Sequence, residues 1–590
     1  MYNQKYAIYQ VFTRLFGNKN TQHVPWGTIE QNGVGKFSDF TDKALSEIRK
    51  LGMTHIWYTG VPHHAIINDY KHIGISDDHP SVVKGRAGSP YAVKDYYSVN
   101  PDLAENPDRR LEEFEALIKR SHDNGLKVII DIVPNHVARH YKGLNNPEGV
   151  SDFGAQDDTT LEYHRDNNFY YIPNSTFELP DIEPAFTPLG GEHHPSLSSP
   201  FIETPAKWTG NGSRLAKPNF DDWYETVKIN YGVHPDGSKD FPELPKDYAQ
   251  RDYREHHQFW ESVAVPSSWV KFRDIALFWL DKGVDGFRYD MAEMVPVEFW
   301  SYLNSSIKMK NQDAFLMAEV YQPDLYRDYI HIGKMDYLYD KVDLYDSLKA
   351  IMQGKVSTAI IPEIQHQMMD IEHHMLHFLD NHDEQRIASP EFVGNPHVAK
   401  PAMLVSALLS SSPTMIYFGQ EVGEPGAENA GFGQPSRTSI FDYIGVPQHQ
   451  KWMNNGAFDG ELLTNNEKQL RHFYQKVMNF SLEHSSMTGD YQDLHQCSNL
   501  SDSVYAFLRY DHQELTIVAA NFSQHTTESI HLEISHDVIQ KLKLVDGRYI
   551  LNEHIEGITQ QVLDIENSVG SFNIELKPLA SLAWVLSLNG

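Results

Sequence analysis

An amphipathic helix closed by a glycine and followed at once by a short, unbroken apolar strand occurs three times in the first half of this 590-residue chain. No other feature restricts the fold as much. The first helix carries Ala44, Leu45, Ile48 and Leu51, ends at Gly52, and precedes the strand His55-Ile56-Trp57-Tyr58. The second runs from Leu111 through Phe114, Leu117 and Ile118 to Gly125, before Val128-Ile129-Ile130-Asp131-Ile132-Val133. The third runs from Trp269 through Phe272, Ala276 and Trp279 to Gly283, before Gly286-Phe287-Arg288-Tyr289. Apolar spacings of three and four mark the helices. A glycine just past each end supplies the left-handed residue that closes a helix. Strands without polar alternation are buried on both faces, as in a parallel sheet. Further strands are predicted at 314–318, 337–339, 375–379 and 414–418, and one at 6–12 opens the chain. The runs beginning at 6, 55, 128, 286, 314, 337, 375 and 414 make eight, the number a (β/α)8 TIM barrel needs. The fold class is therefore α/β.

Two stretches break the alternation. Residues 137–267 are rich in Pro, Gly, Asn, Asp and His with little periodicity. That is too long for a structureless loop, and it reads as an irregular domain inserted after the third strand. From 488 to 590 the pattern becomes short alternating strands such as Val504-Tyr505-Ala506-Phe507-Leu508, which predicts a C-terminal antiparallel β-sandwich. The barrel then occupies 1–136 and 268–487.

The charge balance narrows the partners. Lys+Arg 50 against Asp+Glu 80 leaves a net charge of −30, which a phosphate backbone repels, so nucleic acid is excluded as a partner. No apolar run reaches the roughly 18 residues of a membrane span. Cys497 is the only cysteine, which rules out an intrachain disulfide and a cysteine-based zinc site. The start, Met1-Tyr2-Asn3-Gln4-Lys5-Tyr6, shows no charged-then-apolar leader. It reads as cytoplasmic, or as periplasmic or secreted if a leader has been removed. Nothing in the sequence fixes an oligomeric state.

Catalytic side chains of a parallel barrel sit at the C-terminal ends of its strands. Asp131, Asp290 and Glu319 end the third, fourth and fifth strands, and Asp383 follows the seventh. Acids from four strands would converge on one cleft, with Arg288 two residues before Asp290. Clustered carboxylates beside Arg and His suit either metal binding or glycosidic-bond chemistry. The His-x-His that a metal-dependent barrel hydrolase carries after its first strand is missing from 6–16.

These motifs, taken in order, resemble the α-amylase family of retaining glycoside hydrolases. Asp131-Ile132-Val133-Pro134-Asn135-His136 resembles its D-x-x-x-N-H stretch, and Gly286-Phe287-Arg288-Tyr289-Asp290 its G-F-R-x-D. Ala318-Glu319-Val320 and Phe378-Leu379-Asp380-Asn381-His382-Asp383 resemble the acid/base and N-H-D stretches. Leu179-Pro180-Asp181-Ile182-Glu183 and the segment holding Tyr91 and Asp95 have counterparts too, as does the eighth strand, Thr414-Met415-Ile416-Tyr417-Phe418. The resemblance implies hydrolysis of α-glucosidic, mainly α-1,4, bonds in starch-derived glucans or maltooligosaccharides through a covalent glycosyl-enzyme. Asp290 would be the nucleophile, Glu319 the acid/base and Asp383 the transition-state stabiliser. Tyr91, Asp95, His136, Arg288 and His382 would bind the sugar or hold the nucleophile ionised. No cofactor is needed for the chemistry. A structural calcium on Asn135 and Asp181 is the one ion implied. A transglycosylase, an α-1,6-acting glucosidase and a catalytically inactive carbohydrate-binding protein on the same scaffold are the alternatives. The chain departs from many α-amylases three and four residues after the nucleophile, where it has Glu293 and Met294 in place of Lys-His. That departure leans toward neopullulanase-like relatives and implies altered contacts on the leaving-group side.

Overall fold

In a computed structural model, which describes residues 5–557 and 560–588, the eight expected strands close into a parallel barrel. They are β1 (Ala7–Phe12), β2 (His55–Thr59), β3 (Lys127–Ile132), β4 (Gly286–Tyr289), β5 (Phe315–Ala318), β6 (Tyr337–Tyr339), β7 (Met375–Phe378) and β8 (Thr414–Tyr417). Each pairs with its sequence neighbour, and β1 pairs with β8 through Ala7 and Thr414 to complete the ring. Residues Met1–Gln4, part of the stretch inspected for a leader pattern, lie outside the described residues, as do the side chains of Gln496 and Cys497.

The helix signals act as their chemistry requires. Helix α1 (Asp42–Lys50) starts where the Thr41 hydroxyl accepts the Ala44 N–H at 3.2 Å. Helices α2 (Arg110–Asp123) and α3 (Ser267–Asp281) start without a side-chain cap, after Arg109 and Pro266. Gly52, Gly125 and Gly283 close the three helices with φ of +100°, +75° and +98°. Their apolar faces pack on the strands, and Trp57, Trp269, Trp279 and Trp300 are fully buried there.

Residues 137–267 hold only short pairings. His136–Ala138 pairs with Thr226–Lys228, and Tyr171–Ile172 with Ala206–Lys207. Of the insert's aromatics, Phe169, Tyr170, Tyr171, Trp208 and Tyr224 are buried within it, with Tyr170 and Trp208 stacked at 4.3 Å. An irregular domain of this size needs them for its own core.

The C-terminal strands are β9 (Asp490–Asp493), β10 (Val504–Tyr510), β11 (Glu514–Asn521), β12 (Glu528–Ile534), β13 (Gly547–Glu553), β14 (Gln561–Glu566), β15 (Val569–Leu576) and β16 (Ser581–Ser587). They form one antiparallel sheet, ordered β9-β10-β11-β16-β13-β14-β15-β12. Side chains from both halves, among them Leu508, Ile517, Leu532, Leu563 and Trp584, share one core. The other face of β10, with Tyr505 and Phe507, joins the barrel core. The period of two along that strand thus divides it between two cores.

Gly286 shows how closely the site's backbone is packed. A Cβ there would stand 2.1 Å from the Phe315 carbonyl of the neighbouring strand. Gly286→Ala is expected to lower stability by about 1–3 kcal/mol through forced strand separation. Thermal unfolding checks this, and an unchanged melting temperature would contradict it.

Candidate active site

The strand-end acids meet around one buried cation. Arg288 in β4 is fully buried. Its Nη1 donates to Asp290 Oδ1 at 2.9 Å and its Nη2 to Glu319 Oε2 at 2.9 Å. Nη1 also lies 3.6 Å from Asp131 Oδ1, and Nε donates to the Tyr339 hydroxyl at 3.2 Å. Parallel pairing sets this up, because Arg288 is in register with Asp131 on β3 and with Met317 on β5.

Glu319 is held at both oxygens. Besides Arg288, Oε2 accepts the Met291 N–H at 2.9 Å, and Oε1 accepts a short bond from the Tyr321 hydroxyl. Met291, directly after Asp290, has φ +43° and ψ +43°. A bulky residue in the left-handed region stores strain, and here that backbone aims its N–H at Glu319. The loop carrying Tyr321 is tied in turn. Glu293 Oε2 accepts the N–H groups of Tyr321 at 2.8 Å and Gln322 at 3.0 Å. The residue standing where many α-amylases have Lys is thus a brace for the Tyr321 loop.

Across the cleft, His382 is fixed by its neighbours. Its Nδ1 lies 2.8 Å from Gln10 Nε2, a donor, so Nε2 carries the proton. That nitrogen lies 3.0 Å from Asp383 Oδ2 and 2.5 Å from the Tyr91 hydroxyl. The rings of Tyr91 and His382 stack at 5.3 Å and 27°.

Different surroundings give the carboxyls different proton affinities. Burial, and then the negative charge of Glu319, raise Asp290 well above the ordinary aspartate range, with Arg288 opposing both. Burial works upward on Asp383 too, but His382, Arg288 and Arg437 more than offset it and hold that carboxyl at about 2. Burial lowers His136 to about 3, so it is neutral near pH 7. Burial and neighbouring charge thus set the Asp290 and Asp383 carboxyls far apart in proton affinity.

Tyr91, His136, Asp290, Glu319 and Asp383 line one cavity of about 380 Å3. Arg288 lies beneath it and His382 behind Tyr91 and Asp383. A larger groove of about 1320 Å3 between the barrel and the C-terminal sheet receives none of the strand-end acids.

Two expectations need correction. Asp95 does not reach the cavity: it is fully buried, and its oxygens accept the N–H groups of Tyr97 at 2.9 Å and Leu144 at 3.0 Å. Asn135 and Asp181 are not brought together as a calcium site. The Asp181 side chain is 96% exposed and paired with Lys217 at 2.7 Å. Asn135 is buried, and its Oδ1 accepts a bond from the Lys228 ammonium. A cationic side chain on the amide oxygen does not fit calcium.

Other contributors carried no motif of their own. Tyr321 stands two residues after Glu319, and Lys84 pairs with Glu225 at 2.8 Å on the cavity wall. Trp223, Arg437 and Phe441 complete that wall.

Comparison with known proteins agrees with this architecture. The profile described as alpha amylase, catalytic domain, matches residues 10–179 and 256–479, well over half the chain. The chain belongs to the α-amylase family. The gap between the two matched segments, 180–255, falls inside the insert. A cyclomaltodextrinase from a Bacillus species is 20% identical, across 87% of this chain and 72% of that protein. Alpha-amylase 3 of Dictyoglomus thermophilum is also 20% identical, across 92% and 91%. Among solved structures, a maltogenic α-amylase from Thermotoga neapolitana superposes with a TM-score of 0.60 at 16% identity, covering 99% of this chain and 100% of that one.

Two predictions test the assigned groups. Asp290→Asn should abolish turnover without lowering the melting temperature by more than a few degrees, whereas Glu319→Gln should keep part of its kcat/KM on glycosyl fluorides, whose leaving group needs no proton. Wild-type-like activity of Asp290→Asn on α-glucans would contradict the assignment. The nucleophile must be ionised to attack, so the acid limb of kcat/KM follows Asp290. Glu319's charge raises that group, and Glu319→Gln removes the charge. The acid limb measured on a glycosyl fluoride should therefore move to lower pH in Glu319→Gln, and an unmoved limb would contradict the coupling.

Proposed function

We propose that this chain hydrolyses α-1,4-glucosidic bonds in short maltooligosaccharides with retention of anomeric configuration. The observation that carries this reading is the single guanidinium bridging Asp290 and Glu319. One guanidinium between two carboxyls is compatible with the separation of about 5–5.5 Å that retaining glycosidases use.

The steps follow from the groups present. Asp290 attacks the anomeric carbon as the bond to the leaving oxygen breaks, and Glu319 gives that oxygen its proton. Glu319, now ionised, takes a proton from water as the water oxygen bonds to the anomeric carbon and the Asp290 ester is released. Asp383 stays ionised throughout and opposes the positive charge developing on the sugar. Tyr91 offers a ring face to the sugar.

The preference for short substrates rests on how one end of the cleft is closed. In the ring, β8 and β1 stand opposite β4 and β5, so the loops of β8, β1 and β2 face the sugar side away from Glu319. Those loops are tied together. The Phe441 carbonyl accepts the Ala87 N–H at 2.9 Å, and the Trp26 N–H reaches the Ala430 carbonyl at 2.9 Å. Arg86 donates to the Trp26 carbonyl at 2.9 Å and pairs with Glu192 of the insert. These loops stand beside the cavity of about 380 Å3, to whose wall they bring Phe441, and a cavity of that size holds a short oligosaccharide.

Maltooligosaccharides of increasing length, followed by product chromatography, test the reading. Efficiency should peak at a few glucose units and not rise on amylose. Rapid loss of amylose viscosity with long fragments appearing first would contradict it.

A further inference from the structure

Lys228 ends the strand Thr226–Lys228 of the insert and stands in register with His136 on the strand that leaves β3. Its ammonium donates to Asn135 Oδ1 and, at 3.2 Å, to the Met294 carbonyl. Asn135 belongs to the segment after β3, and Met294 to the turn after β4 that begins with Asp290. One side chain therefore pins three pieces of backbone: the insert, the loop bearing His136 and the loop bearing the nucleophile. Among the described residues no carboxylate lies within ion-pair distance of Lys228. Both of its oxygen partners, an amide and a peptide carbonyl, are uncharged and of a kind calcium also takes. Here an ammonium occupies both, and no carboxylate stands by to offset a divalent ion.

We propose that the Lys228 ammonium is the resident cation of the junction between insert and barrel, so that this junction needs no calcium, and that it positions His136 through Asn135. The second step follows from the amide's other end. Asn135 Nδ2 donates to the Gly210 carbonyl at 2.9 Å and lies 3.0 Å from His136 Nδ1. With Oδ1 engaged by an ammonium the amide cannot turn over, because a turned amide would present N–H groups to a cation. Nδ1 of His136 is then held as an acceptor, and the proton of the neutral ring stays on Nε2. Lys228 is thus a positioning residue for a group on the cavity wall. The kinetic part of this inference rests on the α-glucan reading; the ion part does not.

The test uses the full chain before and after chelator treatment, with calcium content of the untreated protein by atomic emission and thermal melting in both states and after calcium chloride is added back. Well under one calcium per chain and an unmoved melting temperature are expected. One tightly held calcium, with a melting temperature that falls on chelation and recovers on calcium addition, would overturn the proposal whatever the substrate. Lys228→Met keeps the apolar stem and removes the charge. It should melt at lower temperature and lose roughly tenfold in kcat/KM, the scale of outer supporting groups. Lys228→Ala should show the same losses, partly restored by methylammonium and not by sodium. Wild-type melting and turnover in Lys228→Met, or no response of Lys228→Ala to methylammonium, would also overturn it. If either variant fails to fold, the calcium and melting measurements on the unaltered chain still decide the matter.

Discussion

The site depends on a guanidinium taken completely out of water and shared by two carboxyls. Arg288 has no solvent to fall back on, so its partners are its solvation. Removing one member of such a buried ionic group typically costs about 3–5 kcal/mol, because the remaining charge is left uncompensated. The same arrangement sets the chemistry. Asp290 and Glu319 cannot drift apart while both are bound to one planar cation. Burial and the charge of Glu319 push the Asp290 carboxyl upward, and the guanidinium of Arg288 opposes both.

Support for that centre is layered, and most of it comes from outside the motifs that mark the family. Tyr321 and the Met291 N–H hold Glu319, and Glu293 holds the loop of Tyr321. Gln10 and Tyr91 orient His382. The insert adds a wall through Trp223 and Glu225, and its strand ends in the lysine beneath His136. Chemistry and sugar placement are thus shared between a rigid barrel and a less regular domain fastened to it at a few polar points.

How much of this was legible in the sequence follows from how local each signal is. The barrel was readable because a helix, its closing glycine and the next strand lie within about two dozen residues, as at Ala44 to Tyr58. Even three-residue β6 showed itself as Tyr337-Leu338-Tyr339. Asp290, Glu319 and Asp383 were readable because each sits in a contiguous run at a strand end. Asp95 and Asp181 sat in equally familiar runs, but a run does not say where a side chain turns. Asp95 turned inward to cap two backbone N–H groups, and Asp181 lies on the surface. Lys228 could not be read at all, since it reaches Asn135 across 93 positions of irregular chain. Glu293 could be seen as a departure, while its bonds to the Tyr321 loop needed the fold.

The most direct measurement is to trap the covalent intermediate with a fluorinated glycosyl fluoride that forms it quickly and hydrolyses slowly, then map the labelled peptide by mass spectrometry. One sugar per chain, attached to Asp290, is the predicted result. A label on another residue, or turnover that inverts the anomeric configuration without any labelled protein, would contradict the account.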